Sequence, residues 1–289
     1  MTEIKEKAYA KLNISLDVTS CRDDGYHDML MVMQTISLSD NITLRFNNSG
    51  NISASSNLAF IPCDERNLAV KAAMKYLEAI GEKTRGMHID MRKKIPVGAG
   101  MAGGSSDAAA VLRALNRYYD NRLSRVQLEE IACRVGSDVA FCIAGGTALA
   151  KGRGEILTDL QPMPDCYFVV CKPEFSISTP ELFKKLDCAP LRHHPDTAGI
   201  LQALENGELR EVCMRMYNVF EDVDDRRMRT VCEIKSSLLD YGALGAIMTG
   251  TGSAVFGVFS EEKQARAAHA ALKDNYKFCC VSEPVAKLL

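Results

Sequence analysis

Apolar and polar positions alternate near the start of the chain. Leu12, Ile14, Leu16 and Val18 are interleaved with polar partners, the period of a half-buried strand. MLMVMQTISL is more continuously apolar and predicts a second strand, NITLRF alternates again, and NNSGN predicts a turn before ISAS. These segments read as antiparallel strands with hairpin-like connections. NLAVKAAMKYLEAIGE then predicts an alanine-rich helix from about Asn67 to about Gly81. Alternation returns through Met87, Ile89 and Met91 and runs straight into PVGAGMAGGSSD at 96–107. After it, SSDAAAVLRALNRYY predicts a helix from Ser105, and SRVQLEEIACRV one capped by Ser124 and stopped at Gly136. GSDVAFCIAGGTALAKGRGE reads as a short apolar stretch with two glycine-rich bends.

In the second half CYFVVCKP predicts a strand, TPELFKKL a short helix and LRHHPD a polar loop. Helices are expected over about 197–206, 208–218 and 225–241. GAIMTGTGSAVFGVF reads as strand, loop, strand, SEEKQARAAHAALKD as a helix with an exposed face, and KFCCVSEPV as a closing strand. The strand pattern restarts after the two prolines of LQPMPD, so a boundary is expected near residue 160. The expected architecture is α+β with two lobes, 1–159 and 160–289, and a small-molecule site in the cleft between them.

Charge and cysteine usage narrow the partners. There are 35 basic and 37 acidic residues, a net charge of -2, so nothing in the balance attracts nucleic acid or a membrane surface. The charged N-terminus lacks the apolar core of a secretory signal. The uncharged stretch 241–259 is long enough to span a bilayer, but its centre is TGTGS, which suits a loop. Eleven scattered cysteines without a Cys-x-x-Cys pair predict reduced thiols in a cytoplasmic protein, and no zinc-site spacing appears among them or the five histidines. Monomer and homodimer are equally compatible with the sequence.

The glycine stretch carries the first chemistry. Gly98, Gly100 and Gly103 match the spacing of a dinucleotide-binding loop, but two helices follow with no second strand to supply a ribose-binding acid. A P-loop is excluded because GGSSD lacks the Gly-Lys-Ser/Thr ending. What survives is general: bare backbone N–H groups and a helix start favour an anion, with the hydroxyls of Ser105 and Ser106 as donors or a magnesium ligand. A structural glycine-rich turn is the competing reading.

PVGAGMAGGSSDAA resembles the second motif of the GHMP kinases, a superfamily of small-molecule kinases. KAYAKLNISLDV resembles its first motif and IMTGTGSAVFGVF its third. AKLN, DDGYH, GSDVAF and SISTPELF further resemble the branch that phosphorylates a methylerythritol carrying cytidine diphosphate in the non-mevalonate isoprenoid pathway. The resemblance implies a ribosomal-S5-like N-terminal lobe and a C-terminal GHMP lobe, with ATP and Mg2+ as cofactors. It implies Asp138 as general base and Lys11 as its partner, against the commoner fate of such an aspartate as a helix cap. Substrate would meet Asn13, Tyr26, His27, Thr179 and Phe183, whose ordinary roles are core packing or surface polarity. ATP would meet Asn67, Lys93, Pro96, Val97, Gly98, Ala99, Gly100, Met101, Ala102, Gly103, Gly104, Ser105 and Ser106. For Asn67 and Lys93 a helix cap and a solvated lysine compete with that role. Thr249, Gly250, Thr251, Gly252 and Ser253 would bring the C-terminal lobe to the phosphates. Asp107 is expected to turn toward its own helix, away from phosphate, and no acidic residue is assigned to magnesium. A homoserine or mevalonate kinase, and a non-catalytic nucleotide-binding protein on the same fold, are the alternatives.

Overall fold

The computed structural model describes residues 3–82, 86–187, 191 and 193–289; Cys188 and Arg192 of the LRHHPD loop lie outside the described residues. β1 (Glu3–Cys21) and β2 (His27–Phe46) form one long antiparallel hairpin, so the two strands expected over 29–46 are continuous. β1 is also not half-buried: every residue from Ala10 to Val18 is shielded from solvent. The cause lies in register shifts between Tyr9 and Lys11 and between Asn13 and Ser15. A one-residue slip turns the strand over, so the apolar set changes sides. Ala8, Leu16 and Val18 pack into one core, while Ala10, Leu12 and Ile14 pack into a second. Lys11 and Asn13 lie between the shifts, opposite Leu12 and Ile14.

β3 (Ile52–Ser56) does not continue the hairpin pattern. It pairs in parallel with β4 (Met87–Arg92), with α1 (Leu68–Ala79) as the crossover that a parallel pair requires. Three helices follow: α2 (Gly103–Tyr118), α3 (Arg125–Val135) and α4 (Val139–Ala144). Ser124 and Gln127 form a reciprocal capping box on α3, and Gly136 ends it. Where glycine bends were expected, TALAKG forms β5 (Thr147–Gly152), which pairs with β2 and with β6 (Ile156–Asp159).

β7 (Tyr167–Lys172) opens the second half, followed by α5 (Thr179–Leu186), α6 (Thr197–Asn206) and α7 (Leu209–Met214). The helix expected over 208–218 therefore stops early. Its last residues become β8 (Tyr217–Asn218), which adds to β1, and a 3-10 turn over Val219–Asp222. Asn218 explains the break, because its side chain caps that turn at Phe220 and donates to the carbonyls of Met248 and Gly250. α8 (Met228–Asp240), β9 (Gly245–Met248), β10 (Val255–Phe259), α9 (Glu262–Leu272) and β11 (Phe278–Ser282) complete the chain. The fold is α+β, with one sheet ordered β3-β4-β2-β1-β8 and flanked by β5 and β6, and a second ordered β11-β7-β10-β9. Isolated bridges Ile36–Pro284 and Gly145–Lys287 return the C-terminal tail to the first half. No helix among the described residues is long and apolar enough to cross a membrane.

Candidate active site

The loop between β4 and α2 is shaped by backbone that side chains would obstruct. Gly98 and Gly100 take left-handed conformations, φ +64° and +74°. A Cβ on Gly100 would run into the carbonyl oxygen of Thr249, so glycine is required there by a close approach. The contact is mutual: a Cβ on Gly250 would lie 2.9 Å from the Gly100 carbonyl oxygen. Ala254 N–H donates to the Ala99 carbonyl at 3.2 Å. The glycine loops of the second and third motifs thus meet edge to edge. α2 begins at Gly103, two residues before the expected Ser105, and Ala102 precedes it in a left-handed conformation with no side-chain cap. The free N–H groups of its first turn give this end the anion preference of a helix start. Ala99 and Met101 are buried in the second core, Pro96 is half-buried, and Val97 and Gly104 are exposed.

Lys11 and Asn13 form the polar floor beside this loop. Lys11 Nζ donates to Asn13 Oδ1 at 2.6 Å, and both residues are buried. Asn13 N–H donates to Thr249 Oγ1 at 3.0 Å, joining the first motif to the third. Asp138 occupies the N-cap position of α4 but makes no capping bond. Among the described residues, no side-chain hydrogen bond or ion pair engages its carboxylate, so the cap alternative is not realised. Lys11 and Asp138 line the same cleft, and among the described residues no ion pair joins them. Arg113 holds their elements together, donating to Glu6, the Lys7 carbonyl of β1 and the Cys142 carbonyl of α4.

Several expected ligand groups are spent on the scaffold. Ser106 Oγ donates to the Tyr9 carbonyl at 2.5 Å and is buried, so its hydroxyl does not face an anion. Ser253 Oγ donates to the Phe175 carbonyl. Asn67 caps α1 through Ala69 N–H and donates to the Pro62 carbonyl. Lys93 is buried under the loop, where its ammonium pairs with Asp40 and Asp107 and donates to the Gly103 carbonyl. Asp107 therefore points to Lys93 rather than along its own helix. Burial pushes its carboxyl up to about 7, opposed by the Lys93 charge.

At the other end of the cleft His27 stacks on Phe183, ring centroids 4.6 Å apart, and Phe183 meets Phe220 edge-on at 4.9 Å. Tyr26 is 52% exposed, with the Arg153 guanidinium 3.8 Å above its ring. Thr179 and Thr251 share a hydroxyl hydrogen bond of 2.8 Å across the cleft wall. Three contributors carry no motif in the sequence. Asp187 holds His27 Nε2 at 2.7 Å, Arg153 covers Tyr26, and Asn218 braces the third-motif loop. Only Arg153 carried a local signal, its place between the two glycines of GRG.

One cleft of about 610 Å³ runs between these groups. Lys11, Asn13 and Asp138 lie with Gly98, Gly100, Gly250 and Gly252 in one part of its wall, and Tyr26, His27, Arg153 and Phe183 in another. That volume suits a small molecule. The GHMP kinases N terminal domain matches residues 67–146 and the GHMP kinases C terminal domain residues 200–277. Fold and cleft are those of an ATP-dependent small-molecule kinase. A 4-diphosphocytidyl-2-C-methyl-D-erythritol kinase of Clostridium perfringens is 44% identical over 275 residues, 95% of either chain. The same kinase of Alkaliphilus metalliredigens is 42% identical over 277 residues, 96% of this chain and 95% of the relative. A crystal structure of 4-(cytidine 5'-diphospho)-2C-methyl-D-erythritol kinase superposes with a TM-score of 0.80 at 32% identity, covering 97% of this chain and 99% of the other. The chain belongs to the 4-diphosphocytidyl-2-C-methyl-D-erythritol kinase family of the GHMP kinases. A homoserine kinase of Cytophaga hutchinsonii, TM-score 0.78 at 20% identity over 99% of this chain and 96% of its own, shares the fold.

Proposed function

We propose that this kinase transfers the γ-phosphoryl group of ATP to the 2-hydroxyl of 4-diphosphocytidyl-2-C-methyl-D-erythritol, with Asp138 as general base and Lys11 beside it. The observation that carries the reading is the shared cleft. A carboxylate with no side-chain partner among the described residues and a buried ammonium line the cleft with the glycine loops of both motifs, while an aromatic cluster with a histidine lines it too. Asp138 takes the proton of the acceptor hydroxyl as the oxygen attacks the γ-phosphorus. Lys11, steadied by Asn13, places positive charge where the transferring group becomes most anionic. The loop N–H groups and the start of α2 hold the polyphosphate, and the 1–159 and 160–289 lobes meet there through Gly100 and Thr249. His27 and Phe183 offer a ring face and a hydrogen-bonding edge to cytosine, and Arg153 a charge for its diphosphate.

The residues present fit magnesium only in part. The cleft-lining carboxylates are Asp138 and Asp187, and Asp187 is bound to His27. The half-buried Ser105 hydroxyl at the first turn of α2 would be the protein's contact to such an ion, leaving Asp138 for the acceptor proton. Mg2+ supplies charge neutralisation on the ATP phosphates. The test is ADP release from ATP and Mg2+ with the cytidyl substrate, homoserine or mevalonate as acceptor. Turnover with the cytidyl substrate alone is expected; turnover with homoserine or mevalonate and none with the cytidyl substrate sinks the reading.

A further inference from the structure

The hairpin that carries the cleft's histidine also carries a cysteine directly across from it. Cys21 ends β1 and His27 begins β2, and the two are register partners. Register partners project to the same side of a ribbon. Asp187, at the end of α5, reaches the same point from the other half of the chain and meets His27 Nε2 at 2.7 Å. One sulfur, one nitrogen and one carboxylate oxygen thus lie within 4.8 Å of one another. Cys21 and Asp187 are exposed, while the His27 side chain is only 8% exposed and already aimed at the group. Arg22, next in sequence to Cys21, is engaged by Asp24 and Asp28.

We propose that Cys21, His27 and Asp187 form a binding site for one zinc-class divalent cation that bridges the two halves of the cleft and competes with the cytosine ring for His27. A thiolate, an imidazole and a carboxylate are the ligand types of tetrahedral Zn2+, with bonds of about 2.0–2.3 Å, and a fourth position is left for water. The hard cations Mg2+ and Ca2+ prefer all-oxygen sites and are not the match. On binding, the Cys21 thiol releases its proton to solvent, and Nε2 binds as the unprotonated nitrogen, its proton moved to Nδ1. Asp187 exchanges its bond to His27 for a bond to the metal. The hairpin and α5 are then tied together at the mouth of the cleft.

The metal site stands on these three residues alone, whereas the competition with cytosine rests on the proposed substrate. Binding is therefore measured first without substrate, by titrating the full chain with Zn2+ and recording Co2+ absorption. A thiolate-to-cobalt charge-transfer band with tetrahedral visible bands is expected. Cys21→Ser should remove that band and weaken Zn2+ binding by at least about tenfold, and Asp187→Asn should weaken Zn2+ binding as well. An unchanged band and affinity in Cys21→Ser, placing the metal on other thiols, overturns the site. Kinetics then read the second half: Zn2+ should raise KM for the cytidyl substrate without altering KM for ATP, and Cys21→Ser should escape it with basal turnover intact. Binding without that competitive pattern overturns the competition and leaves the metal site standing.

Discussion

Asp138 stands at a helix start without capping it, and the consequence is chemical. A carboxylate that bonds the backbone has its lone pairs occupied, whereas this one makes no capping bond, which leaves them available for the proposed role as base. Asp138→Asn retains shape and removes basicity. Turnover should fall by about 10²–10⁴-fold, the contribution typical of general-base catalysis, with ATP binding by calorimetry unchanged. Full activity in that variant would remove the base assignment. Ser106 shows the converse. Its hydroxyl looked like a phosphate donor in GGSSD, but the Tyr9 carbonyl has taken it, because β1 passes directly behind the first turn of α2. Local sequence displays a functional group, but not what has already consumed it.

At the scale of elements, the two glycine loops act as one part. Gly100 sits in left-handed backbone against the Thr249 carbonyl, and Ala102 sits in left-handed backbone two residues later. The paired substitutions should move in opposite directions. Gly100→Ala adds about 1–2 kcal/mol of backbone strain to a collision with backbone, so thermal stability and ATP affinity should both drop. Ala102→Gly relieves a similar strain but makes the unfolded chain freer by about 0.5–1 kcal/mol, leaving a small gain in melting temperature. Melting curves of both variants, with and without ATP, check this. The β1 bulges belong to the same scale. Alternation through Leu12, Ile14, Leu16 and Val18 read as one buried face. The register shifts split that face between two cores and leave Lys11 and Asn13 in the cleft.

Across the whole molecule, stability should depend on pH through the buried charges under the loop. Lys93 lies between Asp40 of β2 and Asp107 of α2, and Asp107 Oδ1 has no hydrogen-bond partner among the described residues. Unfolded, Asp107 gives up its proton near 3.8; folded, burial holds the proton up to about 7. The native state therefore binds the proton more tightly. Its contribution is complete below about pH 4 and is lost as pH rises toward 7. Asp159 and Asp225, held below the usual carboxylate range by Arg125 and Arg227, act in the opposite sense and only below that window. Urea unfolding at pH 5 and pH 8 should show the native protein weaker at pH 8 by on the order of 2 kcal/mol, since each tenfold difference in proton affinity between the folded and unfolded chain is worth about 1.4 kcal/mol. Asp107→Asn should flatten that difference, and an equal difference in the variant would refute the role given to Asp107.

Much of this protein was written into short stretches of its chain. Periodicity sufficed for α1, β4, α3, β7, β9 and β10, because each is specified by neighbours within a few residues. The three motifs identified the kinase fold, and motif residues such as Lys11, Asp138, His27 and Phe183 do line one cleft. Tertiary structure decided what depends on partners distant in sequence: the parallel pairing of β3 with β4, the addition of β8 to β1, and the early end of α7. It also decided which polar groups stay available. Lys93, Asn67, Ser106 and Ser253 are held by the scaffold, while Asp187, Arg153 and Asn218 enter the site or brace it. The physical reason is that buried hydrogen-bonding groups must find partners, and in a chain folded back on itself most of those partners are remote in sequence.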